Sequence, residues 1–295
     1  MSKKITHRLL EPLFKNNPAL RSAYKLYRHI KSNKTYFSQP QAIPLGFKFN
    51  GNPVMEKGEF EPAETALIQK LLTQVDLVIN VGANIGYYSC LALKQNKKVV
   101  VFEPIDANLR YLLRNIKANG WESNAEVFSL ALSDQVGILE IYGGGTGASL
   151  IEGWSGTPKD DVTLVPVSTL DIVLGERFAG QKILFIIDIE GAEKMMLDGA
   201  QGFLSMTPKP IWLIEITAHQ HQPEGVSVNP HLLETFEKFW NCAYQSWNVG
   251  KLVKQVTKDD ILHLAQSDGS AEECANYLFT ENTNVLMQAG VVLEK

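Results

Sequence analysis

Between Asp76 and Leu93 a short apolar run, Leu77-Val-Ile-Asn-Val81, leads into Gly82, Asn84 and Gly86 and then into residues with helical spacing. An order of strand, glycine turn and helix restricts the chain to folds in which a strand end and a helix N-terminus face a ligand. Glycines let the backbone come close to a bound group and adopt conformations closed to other residues, while the helix start offers unpaired N–H groups. A second apolar strand, Lys98-Val-Val-Val-Phe102, ends in Glu103-Pro104. That acid lies about 20 residues past Gly82, the interval at which a dinucleotide fold sets a carboxylate on ribose hydroxyls.

Glycine spacing separates the cofactor classes. A dinucleotide fingerprint reads G-x-G-x-x-G, and here Asn84 and Tyr87 would stand at its second and third glycines. A tyrosine where pyrophosphate and helix crowd the turn argues against NAD or FAD, and hence against a sugar oxidoreductase.

Strands and helices then alternate: strand 76–81, helix 86–94, strand 98–102, helix 106–118, strand 125–130, strand 183–188, helix 191–199, strand 211–216 and helix 230–240. Near-continuous apolar runs such as Ile183-Leu-Phe-Ile-Ile187 suit strands covered on both faces, hence a parallel sheet whose ligands bind at the carboxyl ends of the strands. An insertion from Ser133 to Gly180 carries two strands, Val136–Tyr142 and Val162–Val167, around the glycine-rich stretch Gly143–Ser149. A hairpin is expected over 243–255. Helical spacing at Ala66, Leu67, Leu71 and Leu72 places a helix just before the first strand.

The chain has 295 residues, 45% hydrophobic and 20% charged, enough for one large α/β domain with an appendage. We divide it into a basic N-terminal extension with a breaker-rich linker, 1–57, and a catalytic domain, 58–295. Residues 1–34 carry nine Lys and Arg against a single acid, Glu11, so the rest is more acidic than the net charge of -4 suggests. Leucines and aromatics interleave with those basic residues, which admits short amphipathic helices packed on the domain or resting on an anionic membrane surface. Cys90, Cys242 and Cys274 form no C-x-x-C pair and are odd in number, so neither a disulfide framework nor a zinc site is expected. With no apolar stretch of membrane-spanning length and no secretory leader, the expected location is the cytoplasm, with peripheral contact at the inner membrane surface through the basic segment.

Further chemistry-bearing residues fall at strand ends. Asn108 lies in the helix after Glu103. The fourth strand delivers Ile187-Asp-Ile-Glu-Gly-Ala-Glu193, bringing Asp188 and Glu190 to the mouth of the sheet with Glu193 one helical step on. As first-turn acids, Glu190 and Glu193 equally suit a helix dipole. Glu215 lies inside an apolar strand, where a charge needs a partner or a function. His219, just beyond it, is a candidate general base.

Asn80-x-Gly82-x-Asn84-x-Gly86 resembles motif I of class I S-adenosylmethionine (SAM) methyltransferases. Val-Gly-Ala-Asn-Ile-Gly-Tyr-Tyr-Ser, Phe-Glu-Pro, Ala131-Leu-Ser-Asp134, Ser168-Thr-Leu-Asp171 and Asp-x-Glu-Gly-Ala-Glu together resemble the FkbM family over residues 58 to 217. The resemblance implies a Rossmann-like, mostly parallel seven-stranded sheet with helices on both faces. It also implies cofactor contacts by Asn80, Gly82, Ala83, Asn84, Gly86, Tyr87, Glu103, Pro104, Asn108, Ala131, Ser133 and Asp188, with Ala131 to Asp134 beside the adenine. Asn80 stands where the family carries Asp, exchanging a charge for an amide that still hydrogen-bonds.

The implied activity is SAM-dependent O-methylation of a sugar, polysaccharide or secondary-metabolite hydroxyl, with S-adenosylhomocysteine (SAH) as product. Asp188, His219 and Glu190 are the candidates for catalysis. The acceptor is a small molecule or glycan, its pocket shaped by Gly143–Ser149, Trp154 and the 217–230 loop. Coordination of Mg²⁺ by Asp188, Glu190 and Glu215 is an alternative that the sequence leaves open. A non-catalytic SAM-fold module on a glycan or membrane surface is the competing class. Nucleic acid is not expected, because the domain is acidic and lacks an Asn-Pro-Pro-Tyr base-binding motif.

Overall fold

A computed structural model describes residues 39–250, 252–267, 269 and 276–294. The basic segment 1–34, with its expected helices and membrane contact, lies outside the described residues.

A small hairpin, β1 (Gln41–Ala42) and β2 (Lys48–Phe49), precedes α1 (Pro53–Glu56) and α2 (Pro62–Leu71). Next come β3 (Leu77–Val81), α3 (Tyr87–Lys94), β4 (Lys98–Phe102), α4 (Asp106–Ala118) and β5 (Ala125–Phe128). The insertion forms β6 (Ala131–Leu132), β7 (Gly137–Tyr142) and β8 (Val162–Ser168), followed by α5 (Leu170–Leu174) and β9 (Ile183–Ile187). Then follow α6 (Glu193–Asp198), α7 (Gln201–Leu204), β10 (Ile211–Glu215), α8 (Leu232–Asn241), β11 (Gln245–Val249) and β12 (Val253–Val256). The last elements are α9 (Lys258–Gln266), β13 (Asn276–Thr280) and α10 (Asn284–Gln288).

The main sheet runs β12-β11-β13-β10-β9-β3-β4-β5. Pairings β10 with β9, β9 with β3, β3 with β4 and β4 with β5 are parallel, whereas β13 is antiparallel to both of its neighbours. Seven strands were expected. The eighth, β12, extends the edge as the antiparallel arm of the 243–255 hairpin. β13 has no counterpart in the sequence reading: five residues with no periodic signal give no hint that a late segment inserts between β10 and β11.

Alternation along the central strands sorts side chains onto two cores. Leu184 and Ile186 of β9 pack with Leu67, Leu71, Cys90 and Leu93 on one face, and Phe185 and Ile187 pack with Phe203, Trp212 and Phe239 on the other. Burial of that size is the main stabilising term of the fold. Phe47 and Phe49, in the stretch read as linker, are buried in the first core, and Asn115 of α4 fastens that stretch through Asn50. No described helix is long and apolar enough to cross a membrane.

Candidate active site

Strands β3, β4 and β9 end side by side, which brings Gly82, Glu103 and Asp188 together although they are distant in sequence. Gly82 N–H donates to the Phe102 carbonyl at 3.0 Å and Asp188 N–H to the Val81 carbonyl at 3.1 Å, locking the three ends. At φ +74° a Cβ on residue 82 would lie 1.9 Å from the Asp188 carbonyl oxygen, so only glycine fits. Asn84 also takes a positive φ, 51°, in the turn. Its N–H points back into the cleft.

Glu103 is the anchor of this cleft. Its Oε2 accepts from Asn84 N–H at 2.7 Å, and its Oε1 accepts from Ile105 N–H at 2.9 Å and Asn108 Nδ2 at 3.3 Å. Burial raises the carboxyl pKa, and the three N–H donors pull it back. A carboxylate held in this way keeps acceptor capacity toward the open side. Asn108 Nδ2 also donates to the Gly145 carbonyl at 2.9 Å, which ties the insertion to the cleft.

About 570 Å³ of empty space, open to solvent, lies here. One side is apolar, formed by Ile105, Leu130, Ala131, Ile141, Ala148 and Leu150. Toward β9 the lining turns acidic at Asp188 and Glu190. Among the described lining residues there is no Lys, Arg or His.

The Asp188 side chain is exposed to the open cleft, although its strand end is surrounded by protein. Burial first, then the neighbouring carboxyls of Glu215, Glu190, Glu61 and Glu193, raise its pKa well above the ordinary range. Glu215, at the end of β10, is pushed up to about 7 by burial and by Glu190, Glu61 and Glu64. Glu193 is pushed up to about 8, chiefly by burial, although its Oε1 accepts from Gly191 N–H at 3.0 Å. Glu61 is raised by burial as well, while Tyr88 Oη donates to its Oε2 at 2.5 Å.

Glu190 is held from the insertion. Trp154 Nε1 donates to its Oε2 at 2.7 Å and Ser149 Oγ to its carbonyl at 2.5 Å, while its own φ is 55°. A Cβ at Gly191 would strike the Trp154 ring at 2.5 Å, so the indole seats on bare backbone. Ser155 N–H donates to the His221 carbonyl at 2.7 Å, joining the same loop to the 217–230 segment.

Of the residues named from sequence, Gly82, Asn84, Glu103, Pro104, Asn108, Ala131, Asp188 and Glu190 line the cleft. Asn80, Ala83, Gly86, Tyr87, Ser133 and His219 do not. Asn80 faces α3 and donates to Ser89 Oγ at 2.9 Å. Tyr87 is buried against Phe49 and Phe60. Gly86 abuts Leu112, and Ser133 donates to Asp134.

His219, expected as a general base, has Nδ1 at 2.9 Å from the Ser227 carbonyl and Nε2 at 2.9 Å from the Leu264 carbonyl. Ser267 Oγ also lies 3.2 Å from Nε2, so both ring nitrogens are engaged by groups outside the cleft, which His219 does not line. Sequence reasoning missed Glu61, whose signal was an acid directly before the helix-starting Pro62, and the apolar lining residues Ile105 and Leu150. Among the described residues no group of three or more His, Cys, Asp and Glu could hold a metal ion, so the Mg²⁺ alternative has no support.

Strand order β5-β4-β3-β9-β10-β13-β11, with β13 reversed, and the buried Glu103 carboxylate at the end of β4 define a class I methyltransferase fold. A model of the methyltransferase FkbM domain matches residues 80–246, more than half of the chain, and the protein belongs to that family. Use of SAM follows from the class. Solved structures with a similar fold include the bifunctional kinase-methyltransferase WbdD (14% identity, 85% of this chain and 46% of that one, TM-score 0.44). Two others are a precorrin-6y C5,15-methyltransferase from Geobacter metallireducens GS-15 (9%, 82% and 97%, 0.39) and a SAM-dependent methyltransferase from Agrobacterium tumefaciens (10%, 74% and 60%, 0.38). The chain spans about half the length of WbdD. No curated protein matches it.

Proposed function

We propose that the protein transfers the methyl group of SAM to a hydroxyl of a sugar, polysaccharide or secondary-metabolite acceptor. The observation that carries this reading is the Glu103 carboxylate, fixed by Asn84 and Ile105 N–H groups in one cleft with Asp188. The apolar side by Ile105, Ala131 and Leu150 suits an adenine, Glu103 the ribose hydroxyls, and the Gly82 turn with Asp188 the methionine end. SAM supplies an electrophilic methyl on a cationic sulfur.

Little covalent chemistry is left to the protein. The cleft would hold an acceptor hydroxyl beside the bound cofactor, with Gly145, Thr146 and Ala148 of the insertion forming one wall and a carboxylate on the β9 side for the hydroxyl proton. Asp188 and Glu190, the two acids that line the β9 side of the cleft, would be the groups in reach of the hydroxyl proton that the acceptor gives up when it takes the methyl. Calorimetric titration of the purified chain with SAM and SAH tests the reading: micromolar binding, lost in Glu103→Ala, is expected. Absence of binding to the folded wild type would refute it.

A further inference from the structure

Three residues other than glycine take up left-handed backbone where three segments meet: Glu190 (φ 55°) in the β9–α6 turn, Ser155 (φ 53°) in the insertion and His221 (φ 64°) beyond β10. Such backbone is unfavourable for a residue with a side chain and persists where its surroundings hold it, most often at functional sites. Trp154 is the hub of the three. Its indole N–H donates to Glu190 Oε2 at 2.7 Å, its ring lies 6.2 Å from that of His221, and it fills the space that a Cβ on Gly191 would need. Ser155 N–H donates to the His221 carbonyl at 2.7 Å, and its Oγ lies 3.1 Å from His221 Nδ1. The turn is fixed from two further sides: Ser149 Oγ donates to the Glu190 carbonyl at 2.5 Å, and Gly191 N–H to Glu193 Oε1 at 3.0 Å. Glu190 lines the cleft, whereas Trp154 is buried and does not.

We infer that Trp154 is a positioning residue: its N–H fixes one carboxylate oxygen of Glu190 so that the other faces the cleft, in place for the acceptor hydroxyl. This deepens the methyltransferase reading above and rests on it. An indole N–H only donates, so Oε2 is committed to it and Oε1 is the oxygen open to a proton. The described residues give Oε1 no hydrogen-bond partner. Proton transfer depends first on geometry, and a carboxylate free to change rotamer spends little of its time in reach of one hydroxyl. Here a buried ring seated on bare glycine backbone holds the carboxylate in one arrangement. The proton that the acceptor hydroxyl gives up when it takes the methyl goes to Oε1.

Two measurements on the full chain test this. Crystal structures with SAH bound are expected to show Glu190 Oε1 turned toward the thioether sulfur in the wild type, and turned away or in several rotamers in Trp154→Phe. Methyl transfer to a panel of methyl glycosides, followed as SAH formation, is expected to lose about tenfold in kcat in Trp154→Phe and about a hundredfold in Glu190→Gln, with KM for SAM within about twofold. The double variant should be no slower than Glu190→Gln alone, because the indole acts only through that carboxylate; a tryptophan with a merely structural role would add its own loss. Thermal melts check folding, and the wild-type complex stands even if Trp154→Phe does not fold. An Oε1 turned from the sulfur in the wild type, an Oε1 unmoved by Trp154→Phe, or losses that add in the double variant overturn the inference. If no glycoside is methylated, the crystal structures decide alone. Failure of both SAM and SAH to bind would instead refute the methyltransferase reading, and this inference with it.

Discussion

Single residues in this cleft carry roles that follow from a few contacts each. Glu103 accepts three N–H groups, so Glu103→Gln would present an amide NH₂ where the protein already supplies donors. Such a variant is expected to lose about 1–3 kcal/mol of stability and to weaken cofactor binding at least tenfold, read by thermal melting and calorimetry. Gly82→Ala is harsher: its Cβ meets the Asp188 carbonyl at 1.9 Å in a left-handed backbone. We expect a loss of about 3 kcal/mol or more, measured by denaturant titration, and no recovery of binding on cooling. Gly82, Glu103 and Asp188 were legible from sequence because each is the first or second residue past an apolar strand. Orientation was not legible for Asn80. It shares its strand face with Val78, and the period of two turns it toward Ser89 rather than the cleft.

At the level of elements, strand ends and the insertion assemble what no single segment contains. Trp154, in the insertion, reaches Glu190 in the β9–α6 turn, and the loop is laced to the 217–230 segment by Ser155 and His221. Trp154→Phe keeps most of the ring but deletes the N–H. It is expected to cost about 1–2 kcal/mol and to expose the 143–157 loop to limited proteolysis without changing cleavage elsewhere. The carboxyls brought together by β9, β10 and α6 set a pH dependence. A carboxyl whose pKa rises on folding binds more protons folded than unfolded, so its contribution is fully present below the unfolded value and is lost as pH climbs through the folded one. With Glu215 at about 7 and Glu193 at about 8, the ligand-free protein should melt a few degrees lower at the alkaline end of that window than at its acid end. Glu215→Gln should flatten the slope. A melting temperature that rises across the same window would sink this account. His219 shows the limit of reading elements singly: the loop position was evident, but the Leu264 carbonyl that occupies its ring belongs to α9, more than forty residues away.

Across the whole molecule, the cleft joins an apolar side to an acidic end lined by no described cation. Phosphorylated or carboxylated acceptors should therefore be poorer than their uncharged counterparts, by tenfold or more in kcat/KM at low ionic strength. Paired assays of a hydroxylated acceptor and its phosphate ester, following SAH formation, check this. A preference for the phosphate ester would contradict the described charge distribution. The class of fold, the alternation of its central elements and the three strand-end residues were already present in the sequence, because strand and helix periods and a glycine turn are local properties of the chain. Placement of β13 between β10 and β11, the bond of Tyr88 to Glu61, and the hold of Trp154 on Glu190 were decided only by tertiary structure. Each joins segments whose distance in sequence carries no signal of their contact, and burial rather than local preference brings them together.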